Sequence, residues 1–176
     1  MSYKNENMKM IELHENGLDI QFRIRENGVV ELADFSSQEV KKAVMEPKDD
    51  ICYPAVEIHR SGTGSLNMHA YKNNINQSSV DFVYENHELK AQAGGKELEI
   101  VMISPEKLKA VYHMRLFDGV PAVQTWTEII NEGSEDQGLT YVSSFMYQGI
   151  SRGGEKPYYK KTDIYVPFNS WCCEAQ

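Results

Sequence analysis

The sequence is short of basic residues and contains no long apolar run, and each shortage excludes a class of protein. Its 176 residues include 18 Lys and Arg against 26 Asp and Glu, a net charge of −8. Such a surface repels phosphate backbones, so nucleic acid is not an expected partner. No segment approaches the roughly 20 apolar residues of a membrane-spanning helix, and the opening residues MSYKNENMKM lack the apolar region of a secretory signal. We therefore expect a cytoplasmic protein with no membrane partner.

Cysteine is also scarce. The three cysteines, Cys52, Cys172 and Cys173, are an odd number for a disulfide framework, and the adjacent pair supplies no CxxC half-site for a metal. We interpret them as free thiols in a reducing compartment. With 41% hydrophobic residues, 12 Gly and 6 Pro, the composition excludes a disordered or collagen-like chain. One globular domain is expected over residues 10–176, after a disordered or extended stretch at 1–9.

Helical periodicity is nearly absent, and alternation of apolar and polar residues takes its place. Leu18, Ile20, Phe22 and Ile24 alternate with polar residues between two Asn-Gly pairs, at 16–17 and 27–28. Asn and Gly accept the positive φ of primed turns, so the pattern predicts two tight hairpins and a three-stranded meander over 10–34. Ser36-Ser37-Gln38-Glu39 resembles a capping box, and it predicts a short helix through Val44.

The rest of the chain also alternates. A strand is predicted over 55–60 after Pro54, and a long polar loop over 61–78. Further strands are predicted at 80–84, 89–91, 98–102, 110–116, 120–130, 139–150 and 163–166, the 139–150 strand with an interruption at Ser143-Ser144. The count of about ten strands indicates an all-β domain built from two packed antiparallel sheets. Trp126, central in a long strand, is predicted to be buried in the core between them.

No motif carries catalytic or metal chemistry. The five histidines, at 14, 59, 69, 87 and 113, lack metal-ligand spacing, and convergence with Cys52 could occur only in space, so no metal site and no cofactor are expected. GxSxG is absent, and no helix pattern follows Gly62-Thr63-Gly64-Ser65, which we interpret as a flexible turn. The acids at 118, 128, 135 and 136 have no spacing that pairs them, and solvated positions are expected. No catalytic residue is assigned.

Aromatic residues crowd the last third of the chain: Trp126, Tyr141, Phe145, Tyr147, Tyr158, Tyr159, Tyr165, Phe168 and Trp171. On an inner sheet face such rings form core, whereas exposed rings stack against sugar faces. Core is the first interpretation. The alternative is a stand-alone carbohydrate-binding module in which Tyr158, Tyr159 and Trp171 are exposed and contact the sugar.

Five segments together resemble a known domain. They are YPAVEI at 53–58, KELEIV at 96–101, LFDGVPAVQTWTEIINEG at 116–133, LTYVSSF at 139–145 and NSW at 169–171. In order and spacing, over residues 10–176, they resemble the N-terminal domain of family 36 α-galactosidases. The resemblance implies a large antiparallel β-supersandwich, similar to galactose mutarotase-like domains, that precedes a catalytic (β/α)₈ barrel and a small C-terminal β-domain.

The resemblance also implies a function for the parent enzyme: retaining hydrolysis of terminal α-galactosides of the melibiose and raffinose type by two aspartates of the barrel. A barrel of about 250 residues does not fit in this chain. We therefore expect a non-catalytic domain, inactive alone, that packs against the barrel and assembles a homo-oligomer. Lys161-Thr162-Asp163 resembles the nucleophile motif only superficially, because it precedes a predicted sandwich strand.

Further expectations concern the loop, the ligand and the surface of the domain. Relatives carry His-His-Gly in the loop after the Val-Glu-Ile strand, whereas this chain has Asn67-Met68-His69-Ala70. A galactoside ligand is possible for this fold, but no substrate-binding residue can be assigned. A mutarotase-like enzyme, with His69 or His113 acting beside a glutamate, is a third possibility. If a barrel normally covers the domain, an exposed apolar patch and self-association are expected.

Overall fold

A computed structural model describes residues 9–37, 53–64, 77–147 and 160, and within these residues the chain is almost entirely β-structure. All strand pairs are antiparallel, in sheets ordered β1-β2-β3, β4-β9 and β5-β6-β7-β8. The elements are β1 (Lys9–Glu15), β2 (Leu18–Ile24), β3 (Val30–Ser37), β4 (Ile58–Arg60), α1 (Gln77–Val80), β5 (Val83–Gln92), β6 (Gly95–Ile103), β7 (Leu108–Phe117), β8 (Val120–Asn131) and β9 (Leu139–Val142). The predicted all-β class is confirmed. Among these residues no helix has the length and apolar character needed to cross a membrane.

The predicted meander is present as β1, β2 and β3. Its first hairpin is tight, because Asn16 and Gly17 both adopt positive φ, at 52° and 82°. The second hairpin is wider than predicted. Only Gly28 of its Asn-Gly pair has positive φ, and the turn spans 25–29, closed by a hydrogen bond from Arg25 N to Val29 O at 2.9 Å. The prediction of two tight hairpins was therefore wrong for the second one.

The core lies between the meander and the four-stranded sheet. Alternate residues of both sheets face each other, and each is almost fully buried: Ile11, Leu13, Ile20 and Phe22 from the meander, and Leu98, Ile100, Tyr112 and Met114 from β6 and β7. Phe22 meets Tyr112 edge to face, with ring centroids 5.7 Å apart. Burying each of the large side chains contributes about 1.5–3 kcal/mol. The apolar residues that the alternating sequence pattern places on the inner faces therefore form the core and stabilise the sandwich.

Contacts at the sheet ends fix the two layers to each other. Asn16, in the β1–β2 turn, donates from Nδ2 to Phe117 O at 2.9 Å and accepts from Gly119 N at 3.0 Å. Lys96 of β6 forms an ion pair with Glu15 of β1. The two bonds of Asn16 attach the β1–β2 turn to the β7–β8 hairpin. At the opposite end, Tyr84 N of β5 donates to Gly28 O of the β2–β3 turn at 2.8 Å.

The segment before β5 differs from its predicted strand. Residues 77–80 form a single helical turn, α1, whose Ser78 and Ser79 are buried. Ser79 Oγ donates to Ile58 O at 2.9 Å and accepts from Ile58 N at 2.8 Å, so side chains satisfy the backbone of β4 there. The Ser79 hydroxyl thus takes the place of the backbone groups that a neighbouring strand would offer to Ile58. The strand begins only at Val83.

Four other predictions need correction. Ser36 and Ser37 belong to β3 and do not cap a helix, and 38–44 lie outside the described residues. The strand expected over 55–60 shortens to β4, because Glu57 N donates to the Ser143 side chain. The strand expected from 139 to 150 ends at Val142, just before the interruption expected at Ser143-Ser144, and 148–150 lie outside the described residues. Trp126 is half-buried, because β8 is an edge strand and Trp126 lies on the sheet face opposite the core. Residues 1–8 and 163–166 lie outside the described residues, whereas Lys9 begins β1.

Candidate functional site

The outer face of the four-stranded sheet carries a cluster of ionisable side chains, which we call the His113 cluster: Glu97, Glu99, His113 and Glu128. The register creates it. His113 of β7 lies directly opposite Glu99 on one side and Trp126 on the other. Apolar Leu98 and Ile100 face the core, so Glu97 and Glu99 share the outer face with His113.

The cluster is tightly packed for an outer face. His113 Nδ1 lies 2.9 Å from Glu97 Oε1 and 3.9 Å from Glu99 Oε1, and His113 Nε2 lies 3.8 Å from Glu128 Oε2. The ring of Trp126 stacks on the imidazole, with centroids 4.6 Å apart and planes 5° apart. His113 and Glu97 are each only 7% exposed. His113 Nε2 is buried and has no hydrogen-bond partner in the described part of the chain.

Side chains of β5 hold the two glutamates from their other side. Lys90 Nζ donates to Glu99 Oε2, and Gln92 Nε2 donates to Glu97 Oε2 at 3.0 Å. The hydrogen bond to Glu99 raises the pKa of Lys90. Each glutamate therefore turns one oxygen to β5 and the other to His113. One carboxylate oxygen of each glutamate and one ring nitrogen of His113 lie within 4.8 Å of one another, an arrangement that could hold a metal ion.

A second polar group lies at β4 and β9. His59 Nε2 lies 2.8 Å from Glu57 Oε1, and the Tyr141 ring, 52% exposed, packs on the His59 ring at 5.1 Å. This group combines an exposed aromatic ring with a histidine–carboxylate pair. Such a combination is found in sugar sites, where the ring stacks and the polar pair contacts hydroxyls.

A third feature is a groove of about 540 Å³ between the β6–β7 turn and the β8–β9 loop. Its lining residues are Pro105, Glu106, Lys107, Glu132, Gly133, Ser134, Glu135 and Gln137. Arg60 Nη1 lies 2.8 Å from Glu106 Oε2. Burial alone would raise the pKa of Glu106, but hydrogen bonds from Arg60, its own backbone and Ser104 lower it below the ordinary value. The positive charge of Arg60 is therefore compensated by Glu106, a carboxylate of the same fold.

The structure brings together some of the residues considered in the sequence and separates others. His113 and Glu128 meet, although spacing gave no reason to pair Glu128 with anything. His14 pairs with Asp19 on the surface and His87 with Tyr84, so these two histidines are separate, as expected. Asp118, Glu135 and Asp136 are exposed, as expected, and 61–62 form a turn. The following considered residues lie outside the described residues: Cys52, His69, Tyr158, Tyr159, Lys161, Asp163, Tyr165, Phe168, Trp171, Cys172 and Cys173.

Sequence reasoning missed Glu97 and Glu99, yet a signal for them exists. In KELEIV the apolar residues alternate, so the two glutamates must share the opposite face. No protein-family model matches the chain, and a search of curated proteins gives no significant match. The resemblance to family 36 α-galactosidases therefore stays a prediction.

Proposed function

We propose that this chain is a non-catalytic β-sandwich domain of an α-galactosidase of the family 36 type, serving to pack against a catalytic barrel and to assemble an oligomer. The proposal rests on the segments that resemble that domain and on one structural observation. That observation is the distribution of large apolar side chains left exposed within the described residues.

Seven such side chains are at least a third exposed, and five of them lie between residues 120 and 145: Val120, Ile130, Leu139, Tyr141 and Phe145. The remaining two, Val83 and Leu89, lie on the other edge strand, β5. Large apolar side chains exposed along one side of a fold favour a surface that meets another protein surface. The β8 and β9 side of the sandwich is therefore the side that we assign to domain packing.

The ionisable groups support a structural role. Arg23 of β2 donates to Glu31 from Nε at 2.9 Å and from Nη2 at 2.6 Å, and Arg25 adds a third contact at 3.2 Å. Arg60 contacts both Asp81 and Glu106. Arg23, Arg25 and Arg60 each pair with carboxylates of the same fold, so we assign these ion pairs to holding the sandwich together.

The first experiment measures hydrolysis of p-nitrophenyl α-galactoside and of melibiose by the purified chain. No release of nitrophenol or galactose above the uncatalysed rate is expected. Hydrolysis that persists after repeated purification would refute the non-catalytic assignment.

The second experiment is sedimentation velocity over a wide range of concentration. Self-association is expected, and the double substitution Leu139→Ser with Tyr141→Ser should weaken it. Val83→Ser, on the opposite edge strand, is the matched control and should leave it unchanged. A wild-type chain that stays monomeric at high concentration, or a control that weakens association equally, counts against the assigned surface.

A carbohydrate-binding module is the second candidate, and the Glu57–His59–Tyr141 group favours it. Calorimetric titration with galactose and melibiose distinguishes the two. Binding at millimolar or tighter affinity that Tyr141→Ala abolishes would support the module, whereas no heat is expected for the packing domain. The mutarotase-like alternative gains a partner for His113 in Glu97, but both are buried and Trp126 covers the ring. No change in the mutarotation rate of galactose, followed by polarimetry, is expected.

A further inference from the structure

We propose that the His113 cluster binds one divalent transition-metal ion of the zinc class. Glu97 Oε1, Glu99 Oε1 and His113 Nδ1 are the ligands, and Glu128 orients the imidazole from the other side. The inference is independent of the proposed packing function, because it rests only on the outer face of the sheet.

The first argument is the direction of the donor atoms. Both Oε1 atoms turn toward His113 Nδ1, at 2.9 Å for Glu97 and 3.9 Å for Glu99. Two ligands about 2.0 Å from a tetrahedral zinc ion lie about 3.3 Å apart, and the two observed separations bracket that value. Shifts of a few tenths of an ångström in flexible glutamate side chains would therefore admit the ion.

The second argument is the state of the imidazole. His113 is more than nine-tenths buried, and its Nε2 has no hydrogen-bond partner within the described ranges. A buried polar atom without a partner costs about 1–3 kcal/mol. With a metal ion on Nδ1, Nε2 carries the proton and points to Glu128 Oε2, 3.8 Å away. Histidine ligands of metals usually donate their second N–H to a carboxylate in this way.

The third argument is the support around the ligands. Lys90 and Gln92 hold the Oε2 atoms of Glu99 and Glu97, which leaves each Oε1 for the ion. Stacking on Trp126 fixes the plane of the His113 ring. Ligand orientation by outer contacts is typical of built metal sites, and adventitious surface clusters lack it.

Charge and donor type select the ion. Glu97, Glu99 and Glu128 place three carboxylates around a histidine, and Lys90 contacts Glu99, so a dication reduces the mutual repulsion of the carboxylates. An imidazole nitrogen disfavours Ca²⁺ and Mg²⁺, which prefer oxygen ligands, and suits Zn²⁺ or Co²⁺. Three protein ligands leave one tetrahedral position for water or a further ligand.

The test is calorimetric titration of the EDTA-treated full chain with ZnCl₂. All variants carry Cys52→Ser, Cys172→Ser and Cys173→Ser, so that thiolates cannot supply the binding. One ion per chain is expected. His113→Gln and Glu97→Gln should each weaken binding at least ~10-fold, and Glu128→Gln should weaken it by ~10- to 100-fold through the outer contact. His14→Gln, which alters the exposed His14–Asp19 pair, is the matched control and should leave the affinity unchanged.

A spectroscopic readout keeps the test decisive if a buried variant misfolds. The chain has two tryptophans, so Trp171→Phe leaves Trp126 as the sole source of tryptophan fluorescence. Co²⁺ should quench its fluorescence, because its ring stacks on that of His113. Glu99 is more exposed than His113, with 22% against 9% of its side chain accessible, so Glu99→Gln should remove the quenching without loss of fold, as judged by circular dichroism. No saturation by about 1 mM Zn²⁺, or quenching and affinity that survive both Glu99→Gln and His113→Gln, would overturn the proposal.

Discussion

The indole ring of Trp126 lies parallel to the imidazole of His113, with planes 5° apart and centroids 4.6 Å apart. The two residues are direct cross-strand partners of β7 and β8. One face of Trp126 is therefore covered by His113, while the side chain as a whole stays half-buried.

This position sets the cost of removing the indole ring. Trp126→Ala should lower the free energy of unfolding by about 2 kcal/mol, less than the roughly 3–5 kcal/mol of a fully buried tryptophan. Urea denaturation measures it. Ile130→Ala, on the same strand and exposed, should cost less than about 0.5 kcal/mol. A loss above 3 kcal/mol at Trp126 would mean that another part of the protein covers the ring.

Two adjacent glycines, Gly94 in the β5–β6 turn and Gly95 at the start of β6, differ in how well they tolerate a side chain. A Cβ on Gly95 would lie 1.9 Å from Leu116 O, whereas a Cβ on Gly94, where φ is +75°, meets nothing within 4 Å. Gly95→Ala should therefore separate β6 from β7 and cost more than about 3 kcal/mol, while Gly94→Ala should cost about 1–2 kcal/mol, the price of its backbone conformation. Thermal denaturation of both variants checks the order, and equal losses would contradict it.

Tyr112 should make stability depend on alkaline pH. Burial raises the pKa of its phenol, and Thr125 offsets only part of that effect. The unfolded chain ionises this group near pH 10, while the folded chain keeps it protonated. Stability therefore falls above pH 10, by up to about 1.4 kcal/mol per pH unit.

Tyr112→Phe removes this contribution and is the appropriate comparison, because the other tyrosines and lysines are common to both chains. The difference in free energy of unfolding between wild type and variant should be constant from pH 7 to 9 and shift in favour of Phe above pH 10. A constant difference up to pH 11.5 would show that the phenol ionises freely in the folded state.

Removing one partner of the buried Arg23–Glu31 ion pair in the meander should strongly destabilise the fold. Glu31→Ala deprives Arg23 and Arg25 of their carboxylate contacts and Tyr53 N of its acceptor, and it should cost about 3–5 kcal/mol. Asp19→Ala, which removes the exposed partner of His14, should change stability by less than about 1 kcal/mol. Comparable effects in guanidinium denaturation would show that the Arg23–Glu31 pair is hydrated.

The alternation of apolar and polar residues correctly predicted the strands that bury one face more deeply than the other. β1, β2, β6 and β7 follow their apolar periods closely, and the Asn16-Gly17 turn follows its dipeptide. The prediction failed where side chains replaced backbone partners, as Ser79 does for Ile58. It also failed at Asn27-Gly28, where closure by Arg25 and Val29 produced a wider loop than the dipeptide indicates.

The His113 cluster could be only half predicted. Alternation in KELEIV places Glu97 and Glu99 on one face, but their meeting with His113 depends on the β6–β7 register, which the turn at 104–107 sets. Glu128 joins through a third strand. Sequence spacing carries no information on cross-strand distance, so a search for HxH or HExxH motifs could not find this group.

The double hydrogen bond of Asn16 has a consequence for biosynthesis. Its partners, Phe117 and Gly119, lie 101 and 103 residues further along the chain. A nascent polypeptide that emerges from its amino end can form the first hairpin at once, but that hairpin waits for its docking partner until the ribosome has released the β7–β8 turn. During translation the apolar face of the first strands thus stays exposed to solvent. In this interval the nascent chain exposes the surface that chaperones bind.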